Sequence, residues 1–102
     1  MEIRLLETAK EDLREGWRFY EKTSAGLGHY FLDCIQADVR SLMMYAGIHE
    51  TSEGFHRMLI KRFPFAVYYL MIDDRVDVYA ILDCRRDPEW IAKRLASSRT
   101  NG

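Results

Sequence analysis

No stretch of this chain approaches the roughly 18 consecutive apolar residues that a membrane-crossing helix needs, which excludes a helical bilayer span. Cysteine is scarce, with only Cys34 and Cys84 in 102 residues. Two are too few for a disulfide framework and lack metal-site spacing, so both are expected to be reduced and largely buried. His29, His49 and His56 form no recognisable pair, and no His, Cys or Glu cluster falls at ligand spacing. Neither a metal nor a cofactor is therefore expected, and His49, in a polar stretch, reads as a solvated loop residue. A nucleophile elbow and a glycine-rich phosphate loop are missing too, the glycines being scattered at helix ends and loops. These gaps make a conventional acid–base enzyme a poor reading.

An excess of one charge is also absent. The net charge of -1 argues against broad electrostatic attachment to nucleic acid. Its distribution is uneven: residues 1–54 hold 6 Lys+Arg and 10 Asp+Glu, whereas residues 55–102 hold 9 and 6. The first half leans acidic and the second basic. With 48% hydrophobic and 13% aromatic residues, the chain can build a genuine core, and its length suits one domain. The opening Met1-Glu2-Ile3-Arg4 lacks the charged-then-apolar layout of a signal peptide, so a cytoplasmic location is expected.

The pattern of apolar residues predicts an α+β fold. Glu2-Ile3-Arg4-Leu5-Leu6 alternates briefly and suits a first strand. Thr8 and Glu11 have capping-box spacing, with Thr8 as N-cap, and Ala9, Leu13, Trp17 and Tyr20 then form a helical stripe read as core. Thr23 or Ser24 would cap a second long helix over residues 25–46, its stripe being Leu27, Phe31, Ile35, Val39 and Leu42. Gly47 suits the position just past its end. Residues 48–54 read as an exposed loop. Three consecutive strands follow, over residues 55–63, 65–71 and 75–82, with Pro64 opening the middle one and Asp73-Asp74 turning the chain. In the last strand Val76, Val78, Ala80 and Leu82 alternate with Arg75, Asp77 and Tyr79, which implies a core on one side only. Asp87 as N-cap and Pro88 at the first helical position open a short terminal helix that packs back through Trp90, Ile91 and Leu95. The expected architecture is an N-terminal strand, an αα-hairpin, a three-stranded antiparallel meander and a short C-terminal helix. Residues 1–96 form the domain and 97–102 a disordered tail.

Chemistry is concentrated in cations: Arg57, Lys61, Arg62, Arg85 and Arg86. Arg85 and Arg86 stand where the last strand gives way to the capped helix. Arginines so placed can hold phosphates bidentately, bind carboxylates of a partner protein, or form an internal salt bridge to Asp77, Asp83 or Asp87.

Arg57, Phe63-Pro64-Phe65, Val67-Tyr68-Tyr69, Ala80-Ile81-Leu82 and Arg85-Arg86-Asp87-Pro88 with Trp90 make a combination that resembles the ParE/RelE toxin superfamily of bacterial type II toxin–antitoxin (plasmid stabilisation) systems. The resemblance spans nearly the whole chain, and its aromatic strand and Trp90 favour the ParE-like side. It implies a cognate antitoxin whose flexible segment folds onto the toxin. In the ParE-like branch it implies non-covalent interference with DNA gyrase, with Arg57, Arg62, Arg85 and Arg86 as target-binding candidates. In the RelE-like branch it implies an endoribonuclease acting on mRNA at the ribosome, with Arg57, Lys61, Arg85 and Arg86 as catalytic candidates. A third alternative is a non-toxic member that keeps only antitoxin binding. Relatives often carry a histidine where this chain has Asp83, and a carboxylate there would repel an RNA phosphate. No acid–base side chain is evident near the C-terminus, where Trp90 cannot transfer protons. Both departures favour the gyrase reading. A homodimer or a toxin–antitoxin heterotetramer would suit such a system.

Overall fold

A computed structural model describes residues 1–101, with side chains through Arg99. The elements in order are β1 (Glu2–Leu5), α1 (Glu7–Thr23), α2 (Leu27–Arg40), α3 (Leu42–Tyr45), β2 (Thr51–Ser52), β3 (Phe55–Leu59), β4 (Phe65–Ile72), β5 (Arg75–Asp83) and α4 (Pro88–Asn101). The strands form one five-stranded sheet in the order β1-β5-β4-β3-β2. β1 runs parallel to β5, and the other neighbours are antiparallel. The α+β class and the central meander are as expected. Residues 48–54, expected to be loop throughout, contain the short strand β2, which pairs with Phe55 and His56 of β3.

β1 is too short to cover β5, and the Leu6 backbone together with two side chains of α1 completes the job. Leu6 N–H donates to the Val78 carbonyl at 3.0 Å, Thr8 Oγ1 donates to the Tyr79 carbonyl at 3.0 Å, and Asp12 Oδ2 accepts Ile81 N–H at 3.0 Å. The β5 edge is thereby satisfied beyond the point where β1 leaves it. This corrects the capping expectation: α1 begins at Glu7 behind Leu6, without a side-chain cap, because the Thr8 hydroxyl is engaged by the strand. The next helix start is also different. Its N-cap is Gly26 at φ 89°, and the Glu21 carboxylate accepts Gly26 N–H at 3.0 Å and Gly28 N–H at 3.0 Å. Those bonds, led by Gly26, hold the Glu21 carboxyl below its ordinary range. The single helix expected over residues 25–46 is broken after Arg40, where the Ser41 hydroxyl donates to the Asp38 carbonyl at 2.5 Å. Gly47 does take positive φ, at 95°.

The alternation of β5 implied a core on one side only, whereas the unbroken apolar run of β4 suits a strand covered on both faces; both sheet faces are covered. On one face Phe31, Ile35, Val39 and Leu42 pack over Val67, Tyr69, Val76, Val78 and Ile81. On the other, Leu95 of α4 packs over Phe55, Ala66, Tyr68, Ala80 and Leu82. A β-bulge explains how β5 serves both with an uneven pattern. Tyr68 opposes Ala80 while Tyr69 opposes Val78, leaving Tyr79 as a surplus residue. Before the bulge the even-numbered residues face the α1/α2 layer; after it Ile81 does. Strict alternation through Leu82 therefore fails at Tyr79.

The tail correction has the same origin in burial. Instead of ending by residue 96, α4 continues to Asn101, and Leu95 and Ser98 are buried. Arg99 reaches over the Phe55 ring. Gly102 lies outside the described residues. Trp90, expected to anchor this helix, remains 37% exposed, whereas Leu95 is fully buried.

Candidate target-binding surface

The exit of β5 is held in place by backbone bonds. Cys84 N–H donates to the Pro64 carbonyl at 2.7 Å, and Arg86 N–H to the Asp83 carbonyl at 3.2 Å. Asp87 Oδ1 accepts Glu89 N–H at 3.0 Å, the N-cap bond expected for α4. Arg85 and Arg86 thus project from a fixed turn.

Their environments differ. Arg85 donates Nε and Nη2 to the Asp83 carboxylate at 3.0 and 2.8 Å, a bidentate pair on a side chain that is still 61% exposed. The bond to Arg85 leads in holding the Asp83 carboxyl below its ordinary range, and the same pair raises the Arg85 pKa. Tyr20 lies alongside: burial pushes its phenol up, and Arg85 pulls it down. Arg86 stacks on Trp90, its guanidinium carbon 4.0 Å from the ring centroid. Arg62 Nη1 donates to the Tyr30 hydroxyl at 3.4 Å. Lys61 is fixed through its backbone, whose N–H donates to Asp38 Oδ2 at 2.9 Å.

Rings connect these cations. Tyr20 touches Phe19, Phe31 and Phe63 with centroids 5.0, 5.1 and 4.9 Å apart, and Tyr30 meets Phe63 at 5.7 Å. The result is a crescent in which arginines and aromatic rings alternate, from Trp90 and Arg86 through Phe19, Tyr20 and Arg85 to Tyr30 and Arg62. Phe19 and Tyr30 are 59% and 46% exposed. Sequence reasoning missed both, although a signal existed: each is an aromatic residue adjacent to, but off, the apolar stripe of its helix.

Arg57 stands apart from the crescent. It rises from β3 on the α4 face of the sheet, where Nε donates to the Tyr68 hydroxyl at 3.2 Å and Nη2 points to Cys84 Sγ at 3.4 Å. The bond to Tyr68 leads in raising its pKa. The expected cation group is therefore divided: Arg62, Arg85 and Arg86 share one surface, and Arg57 is engaged on the opposite sheet face. Both cysteines are free. Asp77, a candidate salt-bridge partner for Arg85 or Arg86, instead binds Arg4 and Arg75 from one buried position on β5.

Between α1 and the start of α4 lies a cavity of about 230 Å³. Asp12, Glu15, Gly16 and Phe19 enter it from one stripe of α1; Phe65, Ile81 and Leu82 line it from the sheet, and Asp83, Arg86 and Trp90 close it. Arg94 of α4 donates to Asp12 Oδ2 at 2.7 Å. Burial nevertheless pushes the Asp12 carboxyl up to about 6, against the pull of Ile81 N–H and Arg94.

His49 is not a solvated loop residue. Its Nδ1 lies 2.5 Å from the Tyr69 hydroxyl, which also accepts Gly47 N–H at 2.9 Å. His56 Nδ1 lies 2.8 Å from the His49 carbonyl, and its ring stacks on Tyr69. Burial lowers the His49 pKa, assisted by His56, which favours a neutral ring accepting the Tyr69 proton. This group fastens the turn before β2 and sits away from the crescent. Among the described residues, no group of three or more His, Cys, Asp or Glu side chains is arranged to hold a metal. No helix among them is long and apolar enough to cross a membrane.

The chain matches no protein-family model and no curated protein. Its fold is shared with a solved chain described as "Chromosomal ParDE TA system from P. aeruginosa", at a TM-score of 0.71 and 21% identity. The match covers 79% of this chain and 92% of that one.

Proposed function

We propose that the protein is the ParE-like toxin of a type II toxin–antitoxin pair, a cytoplasmic, non-covalent inhibitor of DNA gyrase that a cognate antitoxin neutralises. The observation that carries this reading is the crescent, set on a fold shared with a ParDE chain. Arginine, tyrosine and tryptophan are the residues that dominate the energetics of protein contacts, because they combine large buried area with directed polar groups. Arg62, Arg85 and Arg86 would make the target contacts. The RelE-like alternative is less well supported here, since Asp83 already holds Arg85 through two bonds and places a negative charge beside any incoming phosphate.

A second surface suits the antitoxin. Met43, Met44, Tyr45 and Ile48, on α3 and the turn after it, are 49%, 80%, 51% and 72% exposed. An amphipathic segment would cover such a patch.

Induction in a bacterial host tests the proposal. Filamentation with SOS induction is the expected result. Rapid translation arrest with cut mRNA would replace it with the nuclease reading, and unimpaired growth at verified expression would leave only antitoxin binding. Replacing Arg85 and Arg86 together by alanine should abolish the growth defect while changing stability by no more than about 1–2 kcal/mol, as for exposed side chains.

A further inference from the structure

We infer that the cavity between α1 and α4 seats a basic side chain, arginine or lysine, of the partner polypeptide. The inference deepens the reading of the crescent as a protein-contact surface and rests on it, but it does not depend on gyrase being the partner. Its basis is the stripe that α1 lays into the cavity. Glu15 and Phe19 are four residues apart and so lie one above the other on the helix, and both line the space. Phe19 presents a largely exposed ring. Among the described residues Glu15 has no ion-pair partner, whereas Asp83 is held by Arg85 and Asp12 by Arg94.

A carboxylate beside an uncovered aromatic face is the recognition chemistry of an ammonium or guanidinium group: one neutralises the charge and the other accepts its flat or apolar side. The apolar floor of Phe65, Ile81 and Leu82 suits the methylene stem of such a side chain. At about 230 Å³ the cavity has room for one side chain rather than a helix. The protein already shows that this wall accepts a guanidinium, because Arg86 lies on Trp90. Arg86 is therefore a competitor for the incoming cation, and Glu15, the lining carboxylate with no ion-pair partner among the described residues, supplies the attraction.

The test is a titration of the ¹⁵N-labelled protein with N-acetyl-arginine amide, followed by NMR at the Trp90 indole and the Phe19 amide. N-acetyl-norleucine amide serves as the uncharged control. Saturable shifts with the arginine compound alone are expected. Glu15→Gln should weaken the apparent affinity up to about fivefold, the size of an exposed ion pair of about 1 kcal/mol. Arg86→Ala should change it in the opposite direction and tighten binding. Equal shifts with norleucine, insensitivity to Glu15→Gln, or weaker binding in Arg86→Ala would each overturn the inference. Glu15 and Arg86 are exposed, so unchanged spectra elsewhere verify folding. Toxicity is read separately in cells, so a failed titration with intact toxicity removes this site and leaves the toxin reading standing. Saturable binding without toxicity does the reverse.

Discussion

Gly16→Ala places two physical effects in direct opposition. In an unconstrained helix interior, alanine is favoured over glycine by about 1 kcal/mol, so the substitution would stabilise α1. Gly16 is not unconstrained. A Cβ added there would stand 2.6 Å from Phe31 Cζ and 2.7 Å from its Cε2, well inside ordinary carbon contact. The Phe31 ring has nowhere to retreat. It is fully buried, with the rings of Tyr20, Phe63 and Phe65 centred 5.1, 5.2 and 4.9 Å away. Overpacking of such a core costs about 1–3 kcal/mol, and glycine's conformational freedom in the unfolded chain returns only part of it. The expected net effect is a destabilisation of up to about 2 kcal/mol. Urea unfolding followed by tryptophan fluorescence measures it. A double-mutant cycle with Phe31→Leu isolates the cause, since the smaller side chain should absorb the new methyl and make Gly16→Ala neutral or favourable. A Gly16→Ala protein more stable than the parent, or a cost that is unchanged in the Phe31→Leu background, would refute the packing argument.

Two further outcomes follow from the helix that closes the other face. Leu95→Ala should cost about 3 kcal/mol, as for a fully buried leucine, whereas Trp90→Ala should cost about 2 kcal/mol because the residue is 37% exposed and part of its cover is the guanidinium of the exposed Arg86; thermal or urea melts decide the order, and the reverse order would restore Trp90 as the anchor. Asp12 supplies a pH dependence. Its folded pKa of about 6 lies above the unfolded 3.8, so the folded state holds the proton more tightly. Stability from this group is full below the unfolded value and falls as pH rises from about 4 to 6. Asp12→Asn should remove that slope, gaining on the parent by up to about 3 kcal/mol across the window. A mutant that instead loses ground with rising pH would show that Arg94 outweighs burial.

Much of this architecture was legible from spacing alone. The apolar stripe of α2, the Pro64 start, the Asp87-Pro88 cap and the three central strands follow from local periodicity and turn chemistry, although the first strand, expected over residues 55–63, ends at Leu59. Non-local bonds account for what was not. The Thr8 hydroxyl is taken up by Tyr79, and Glu21 caps the helix after its own. Disorder was expected after residue 96 because Ser97-Ser98-Arg99 is polar, yet Ser98 is a buried residue of α4, a helix whose contacts lie far away in sequence. The candidate site was half legible. Arg85 and Arg86 could be located beside the helix start, but their partners, the exposed Phe19 and Tyr30, and the diversion of Arg57 to Tyr68 depend on which sheet face each strand residue takes.

That choice of face traces to the surplus residue Tyr79. Past it, Asp83 emerges on the same side as Ile81, toward Tyr20 and Arg85, and Cys84 turns to the side where Arg57 waits. Excising one residue at this point would return β5 to plain alternation and exchange the two destinations. The bulge is in effect the junction that routes one end of a strand to an outward-looking surface and leaves the neighbouring cation to internal duty.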